Sequence, residues 1–454
     1  MHGNVKRPGE SWAVFCLFAR DVRAVRLVMH TNINASECVE YVERLAAFGT
    51  RHTLSTTTDG KRGIGAARLW LSEQLRAFGG NLRVELESHD APVTARTPSG
   101  GELVNVVAML PGRLASARHR RVYCMAHYDS MNADIMNALD DAPGANDNAS
   151  GCGVVLACAK ALANTRPDAT IVFLLTAGEE QGLLGARAHA QALRAQSELR
   201  EVIVLNNDTV GDPGPMLLRE GLPALSDDPT RAVVRMFSEG LPKAASGESV
   251  ATIRTLGGEH DSPSRQLARA IAGIAQQDAS VAMPWLIARP DRFLRGGDHT
   301  PFNECGFAAV RFTSLAEEYS RQHVHPQMRD GRLYGDVPSF VQGEYLAAVA
   351  RLNCKALRVL ANAPSSPANA RIVAAGMEQD TLVRWDSAAE EDVARYEVLW
   401  RDTTSNVWQA SRSVDADVRE LRVGVSKDNA YFAVRAVDAD GNASVPAFCV
   451  AANA

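Results

Sequence analysis

The spacing of apolar positions changes character twice along the chain. Over 38–48 they recur at helical intervals. The same period predicts a second helix over 63–78 (GIGAARLWLSEQLRAF), with Ala66, Leu69, Leu71 and Leu75 turned toward a core. Beyond it, short β-rich runs alternate with helical stretches. The runs are LRVELE near 85, LVNVVAML near 105, RVYCMA near 123, TIVFLLT near 173, EVIVLN near 203 and FAAVRFT near 310; helices are predicted over 151–164, 183–197 and 262–274. Several of these runs are apolar throughout instead of alternating, the mark of strands buried on both faces in a layered α/β fold. A last helix over 342–360 closes this unit.

The second change falls at 362–369 (NAPSSPAN), a Pro/Ser-rich linker. Past it the helical period vanishes. Short alternating runs follow: TLVRW at 381–385, YEVLW at 396–400 and YFAVRAV at 431–437, separated by turn signals such as Asp440-Gly441-Asn442. About 85 residues of this kind predict a small all-β sandwich. The expected organisation is an N-terminal segment (1–35), an α/β domain (36–363), a linker (364–369) and a β domain (370–454). No repeat relates the two halves.

Composition narrows the function classes. With 46% apolar and 22% charged residues the 454-residue chain has the make-up of a globular protein. Lys and Arg total 48 against 53 Asp and Glu, so no excess of positive charge is available for a phosphate backbone, and nucleic-acid binding is disfavoured. No apolar run approaches the roughly 20 residues that span a bilayer. The run at 12–19, after Lys6 and Arg7, has the outline of a short signal peptide but lacks a small-x-small cleavage site. Eight cysteines (16, 38, 124, 152, 158, 305, 354 and 449) are scattered without a Cys-x-x-Cys pair. That is neither a zinc ribbon nor a dense disulfide scaffold, and most are expected to be buried as small hydrophobes.

The candidate chemistry lies at strand ends, where α/β sheets carry their sites. RVYCMA runs into His127-Tyr128-Asp129-Ser130, TIVFLLTAG into Glu179-Glu180, and EVIVLNN into Asp208. A Gly-flanked turn, 144–151, holds Asp147, and after FAAVRFT come Glu317-Glu318 and the string to His323 and His325. Carboxylates grouped in this way repel one another unless neutralised, and a pair of divalent cations removes the repulsion. Imidazole and carboxylate without thiolate suits catalytic zinc, with manganese or cobalt as alternatives. His127 and Asp129, two apart on an extended strand, point the same way, so one can ligate while the other orients it. Of the adjacent Glu179 and Glu180, one can ligate while its neighbour faces the attacking water as general base. Asp147 could bridge two metals.

These strings, AHYDS (126–130), PGANDNASG (143–151), TAGEEQGLLGA (176–186), NND (206–208), RGGDHTPFNECGFAAVRF (295–312) and Gln322-His323, together resemble the zinc aminopeptidases of peptidase family M28, over residues 36–360. The resemblance implies a three-layer α/β/α sandwich of the phosphorylase/hydrolase-like type around a mixed sheet, with two zinc ions and peptide substrates. Matched motif to motif, His127 and Asp208 would hold one zinc, Glu180 and His323 the other, and Asp147 would bridge them. Asp129 would orient His127, and Glu179 would be the general base. Asp298 and His299 match the family's Asp-His string, whose histidine lines the site without binding metal. Many relatives carry the last ligand in a Tyr-His-Thr-Pro-type string; here a Gln-His string selects His323 over His325. Where a subgroup often has Thr-Glu after its last strand, this chain has Thr313-Ser314.

The C-terminal region resembles a fibronectin type III module, with Trp385, Tyr396, Leu421 and Tyr431 at its core and corner positions and VRAVDADGNAS (434–444) at its final strands. Modules of this type accompany exported enzymes, so a secreted or periplasmic location is expected, which would leave room for one or two disulfides. Two rival readings share the motif set: a single-zinc glutaminyl cyclotransferase, and an inactive receptor-like homologue. The TAGEEQGLLGA string is nearer the aminopeptidases, and all five ligand positions and the base are filled. A third places the biology in the C-terminal module, as an adhesion or substrate-docking unit. No Gly-x-x-x-x-Gly-Lys loop and no Gly-x-Ser-x-Gly elbow points to another chemistry.

Overall fold

Helix α1 (Ala35–Ala46) starts at Asn34, whose side chain accepts the Glu37 backbone N–H at 2.8 Å and so satisfies a donor left open at the helix start. Helix α2 (Gly63–Ala77) buries Ala66, Leu71 and Leu75 as expected. Leu69, expected inside, is 49% exposed: two residues before Leu71, it sits about 200° around the helix from it. The computed structural model describes residues 33–452, apart from 216, 218, 223, 226, 227, 375 and 376. The apolar run 12–19 and Cys16 lie outside the described residues.

Eight strands form the central sheet: β1 (Arg83–Ala91), β2 (Gly101–Leu110), β3 (Arg120–His127), β4 (Thr170–Thr176), β5 (Glu201–Asn207), β6 (Val233–Ser238), β7 (Met283–Ile287) and β8 (Ala308–Thr313). Their order is β1-β2-β4-β3-β5-β8-β6-β7. The middle four, β4-β3-β5-β8, run parallel, and antiparallel pairings at β2–β4 and β6–β8 make the sheet mixed. The apolar runs of β3, β4 and β5 are explained by burial on both faces. Cys124, Phe173 and Leu205 look into a core shared with α1, α3 (Gly151–Leu162) and α8 (Gly343–Asn362). Their neighbours Tyr123, Val172 and Val204 look the other way, onto α4 (Leu184–Arg194) and α7 (His299–Glu304). The result is the expected three-layer α/β/α arrangement. β6, β7 and α5 (Gly247–Thr255) had no counterpart in the sequence reading, whereas α6 (Pro263–Gln276) did. A short hairpin, β9 (Gln327–Arg329) and β10 (Arg332–Tyr334), precedes α8.

The C-terminal strands are β11 (Arg371–Val373), β12 (Thr381–Arg384), β13 (Val393–Asp402), β14 (Ala410–Asp415), β15 (Glu420–Val423), β16 (Ala430–Asp438), β17 (Ala447–Phe448) and β18 (Val450–Ala452). They form two four-stranded sheets, β15-β12-β11-β18 and β14-β13-β16-β17, around one core that includes Val383, Trp385, Tyr396, Val398 and Phe432. Tyr431 does not join that core. It faces the α/β body and donates its hydroxyl to Gly257 O at 2.7 Å, because on β16 it alternates with the inward Phe432. Beside it Arg401 pairs with buried Asp261, which also holds Arg269 (2.6 and 2.7 Å). The Pro/Ser segment is packed, not free: Ser365 bonds Glu390 and Ser366 bonds Glu201. Among the described residues all seven cysteines are free thiols, and every one except Cys305 is buried.

Candidate metal centre

β3, β4 and β5 are parallel, with β3 between the other two. They end at His127, Thr176 and Asn207. The segments that follow therefore leave the sheet at one edge, and this brings residues up to 196 positions apart into one site. Asp147 arrives from the turn Ala145–Ser150 leading into α3. His323 comes from the loop ahead of the β9–β10 hairpin, in a left-handed conformation (φ 52°).

Two groups of donors result: His127, Asp147 and Asp208, and Asp147, Glu180 and His323, each with its ligand atoms within 4.8 Å of one another. Asp147 belongs to both. Its Oδ1 lies 3.2 Å from His127 Nε2, and its Oδ2 lies 3.0 Å from His323 Nε2. Asp208 Oδ1 is 3.8 Å from His127 Nε2, and Glu180 Oε1 is 3.1 Å from His323 Nε2. The five residues predicted as ligands are thus the five that meet here; His325 joins neither group. Asp129, fully buried, stands behind His127 with Oδ1 3.5 Å from Nδ1. It also accepts the Thr53 hydroxyl (2.8 Å) and the backbone N–H groups of Glu179 and Glu180 (3.3 and 3.2 Å). The Nδ1 hydrogen bond goes to the Asp129 backbone carbonyl (3.2 Å), so Asp129 positions the imidazole chiefly through its main chain and, through its carboxylate, the turn that carries the two glutamates.

The charge balance tests whether cations fit. Burial works against a charge on His127, yet Glu179, Asp129, Asp147 and Asp208 hold its pKa well above the ordinary histidine value. Burial likewise opposes a charge on His323, and Glu180 and Asp147 overcome it, pushing the pKa up to about 11. Protons on both imidazoles meet the demand for positive charge, a demand that divalent cations would also meet. His127 Nε2 is buried, has no hydrogen-bond partner among the described residues and faces two carboxylates, as a ligand atom would. The donor set of imidazole and carboxylate fits zinc. Burial, with Asp208, Glu180 and Asp298 nearby, raises the Glu179 pKa well above the carboxylate range, although His127 pulls against it.

Asp298 and His299 lie behind the ligands and belong to neither donor group. Asp298 accepts the Thr176 hydroxyl, and burial raises its pKa to about 7. His299 Nε2 is 2.8 Å from Pro290 O, and burial lowers its pKa.

Four side chains support the ligands; of these, Arg51, Arg311 and Asp336 had no role in the sequence reading, and Gln322 figured only as part of its Gln-His string. Arg311, fully buried on β8, reaches Asp208 Oδ2 at 2.9 Å, leaving the other oxygen toward His127. Asp336 accepts the backbone N–H groups of Asn146 and Asp147, both at 2.7 Å. Gln322 donates to Asp147 Oδ2 at 2.7 Å. Arg51, with no exposed surface, donates to the carbonyls of Tyr128, Leu45, Pro143 and Gly144. It ties the end of β3 to the turn of Asp147. Glu317, close after β8, is occupied by Arg235, Arg292 and Arg295 at 2.9–3.0 Å.

The carboxyl edge of this α/β/α sheet thus carries two imidazole–carboxylate donor groups that share one aspartate and could hold divalent cations. The profile of Peptidase family M28 matches residues 105–331. A probable zinc metalloprotease of Leptosphaeria maculans is 39% identical over 415 residues, covering 90% of this chain and 93% of that protein. Another from Pyricularia oryzae is 42% identical over 414 residues, covering 88% and 79%. Among solved structures, the LapA aminopeptidase of Legionella pneumophila aligns with a TM-score of 0.49 at 16% identity, over 76% of this chain and 78% of that one. The chain belongs to peptidase family M28.

Proposed function

We infer that the protein is a zinc-dependent exopeptidase that removes N-terminal residues from peptides, with two zinc ions per chain. The observation that carries this reading is the divided carboxylate of Asp147, one oxygen toward each histidine. His127 and Asp208 would hold one ion and Glu180 and His323 the other, with Asp147 between them. Bound zinc supplies Lewis-acid activation of water and carbonyl at neutral pH.

The chain's own residues do the rest. Glu179, on the turn that Asp129 holds, takes the proton of the attacking water and returns it to the leaving amine. Its raised affinity for a proton suits that shuttle. Asp129 keeps His127 oriented through Nδ1, so that Nε2 faces the ligand set. Arg311 and Gln322 hold the carboxylates of Asp208 and Asp147 in place. Further parts of the same reading are a fibronectin type III-like C-terminal module and a secreted or periplasmic location.

Metal analysis of the purified protein, followed by an aminoacyl-nitroanilide panel with and without chelator, tests the reading. Two equivalents of zinc, and hydrolysis that chelator stops and zinc restores, are expected. One equivalent together with cyclisation of glutaminyl peptides would replace the reading with a glutaminyl cyclotransferase. Two equivalents without any hydrolysis would leave a binding homologue.

A further inference from the structure

A cavity of ≈ 460 Å³ lies between the α/β body and the C-terminal sheets. Its volume falls in the range of small-molecule sites. Glu201 and Ala308, at the starts of β5 and β8, line it. It therefore sits at the amino edge of the sheet, whereas the metal centre lies at the carboxyl edge; the seven residues of β5 separate the two by about 20 Å. Val202, Ile203, Ile253, Leu256, Phe307 and Phe448 supply apolar wall.

Two further observations indicate an occupant. The first is the covering helix. α5 has no buried residue at all, so it gives no apolar side chain to the core. Its Ile253 and the following Leu256, both half-buried, line the cavity, and the helix is tied to the C-terminal sheets through Gly257 and Tyr431. Filling the cavity would give this helix the apolar partner it otherwise lacks. The second is charge. Of the three charged residues lining the cavity, Glu201 is paired with Arg120, and Asp261 with Arg269 and Arg401. Arg200, exposed, has no carboxylate within ion-pair distance among the described residues.

We propose that this cavity is a binding site for a medium-chain aliphatic carboxylate, its chain among the apolar walls and its carboxylate at Arg200. The site is independent of the metal centre.

Titration calorimetry of the full chain with octanoate, decanoate and dodecanoate, below their micelle concentrations, tests it. One site per chain is expected, with affinity rising roughly tenfold for each two methylenes until the cavity is full. Binding should persist after chelation, which separates this site from carboxylate ligation of zinc. Arg200→Gln should weaken dodecanoate severalfold and leave dodecanol unchanged. Ile253→Trp, at a half-buried helix position outside the core, should abolish both while hydrolysis of a small aminoacyl substrate continues. Absence of saturable binding, an affinity indifferent to chain length, or dodecanoate binding that survives in both variants would overturn the proposal. Binding lost on chelation alone would assign the carboxylate to the metals instead.

Discussion

Replacing Arg51 by methionine tests how the turn that carries Asp147 is held. The guanidinium has no exposed surface, and its carbonyl partners belong to three segments: Leu45 at the end of α1, Tyr128 after β3, and Pro143 and Gly144 before Asp147. Methionine fills similar space but donates nothing. Each buried acceptor left without a donor costs about 1–3 kcal/mol. Carbonyls keep a second lone pair and the segments can relax, so the four together are worth about 4 kcal/mol instead of the full sum. That is a large fraction of the roughly 5–15 kcal/mol by which a domain is stable. The melting temperature of the metal-free protein should fall by about 5–10 °C. The loss should extend to the metals: Pro143 and Gly144 fix the turn from which Asp147 divides its oxygens, so the variant should bind less than two equivalents of zinc at concentrations that saturate the parent. Arg51→Lys, which can serve one or two of the carbonyls, should fall between. Scanning calorimetry and metal analysis on the three proteins provide the readouts. A methionine variant within about 1 kcal/mol of the parent, with full metal content, would refute the reasoning.

Glu179→Gln should retain its metals and lose about 10²–10⁴-fold in turnover, the range of a general base; near-normal turnover removes Glu179 from that role. Asp147→Ala should lower the metal content itself, and two full equivalents in that variant would contradict the bridging assignment. Glu239, buried in the body, has its pKa raised from the ordinary 4.5 to about 7 by burial. A folded-state pKa above the unfolded one means that the carboxyl favours the fold when protonated, so stability is greatest below about pH 4.5 and erodes as pH rises through 7. Glu239→Gln should therefore raise stability above pH 7, by at most about 3 kcal/mol, and leave it unchanged near pH 4.5; an increment that does not vary with pH would count against burial as the cause.

The chemistry-bearing residues were legible because each is set by its own neighbourhood. An apolar run makes a strand, and the residue just past it stands at the sheet edge. His127, Glu180 and Asp208 could be placed in that way, and Asp147 by its glycine-flanked turn. The same locality explains the layered fold: strands buried on both faces read as continuous apolar runs, and β3, β4 and β5 are those strands. β1 could be recognised too, although it lies at an edge and is mostly exposed.

Other features depend on partners far away along the chain. Nothing around Arg51 announces a buried arginine; its partners are backbone carbonyls as much as 93 positions distant, and every segment carries carbonyls. Arg311 reads as one charge interrupting an apolar strand until the sheet order sets β8 beside β5 and brings it to Asp208. Asp336 finds its partners 189 and 190 residues earlier. β7 is a short edge strand, and it and its neighbour β6 owe their pairing to β8 and to each other, while the hydroxyl of the outward Tyr431 finds its acceptor, Gly257 O, 174 residues earlier. The sequence by itself determined β1 to β5, β8, most of the helices and the donor atoms that need positive charge, because side-chain period and residue chemistry are local properties. Only the tertiary structure decided which buried charges neutralise one another and how firmly the donors are held, because electrostatic and hydrogen-bond energies depend on distance in space and not on separation along the chain.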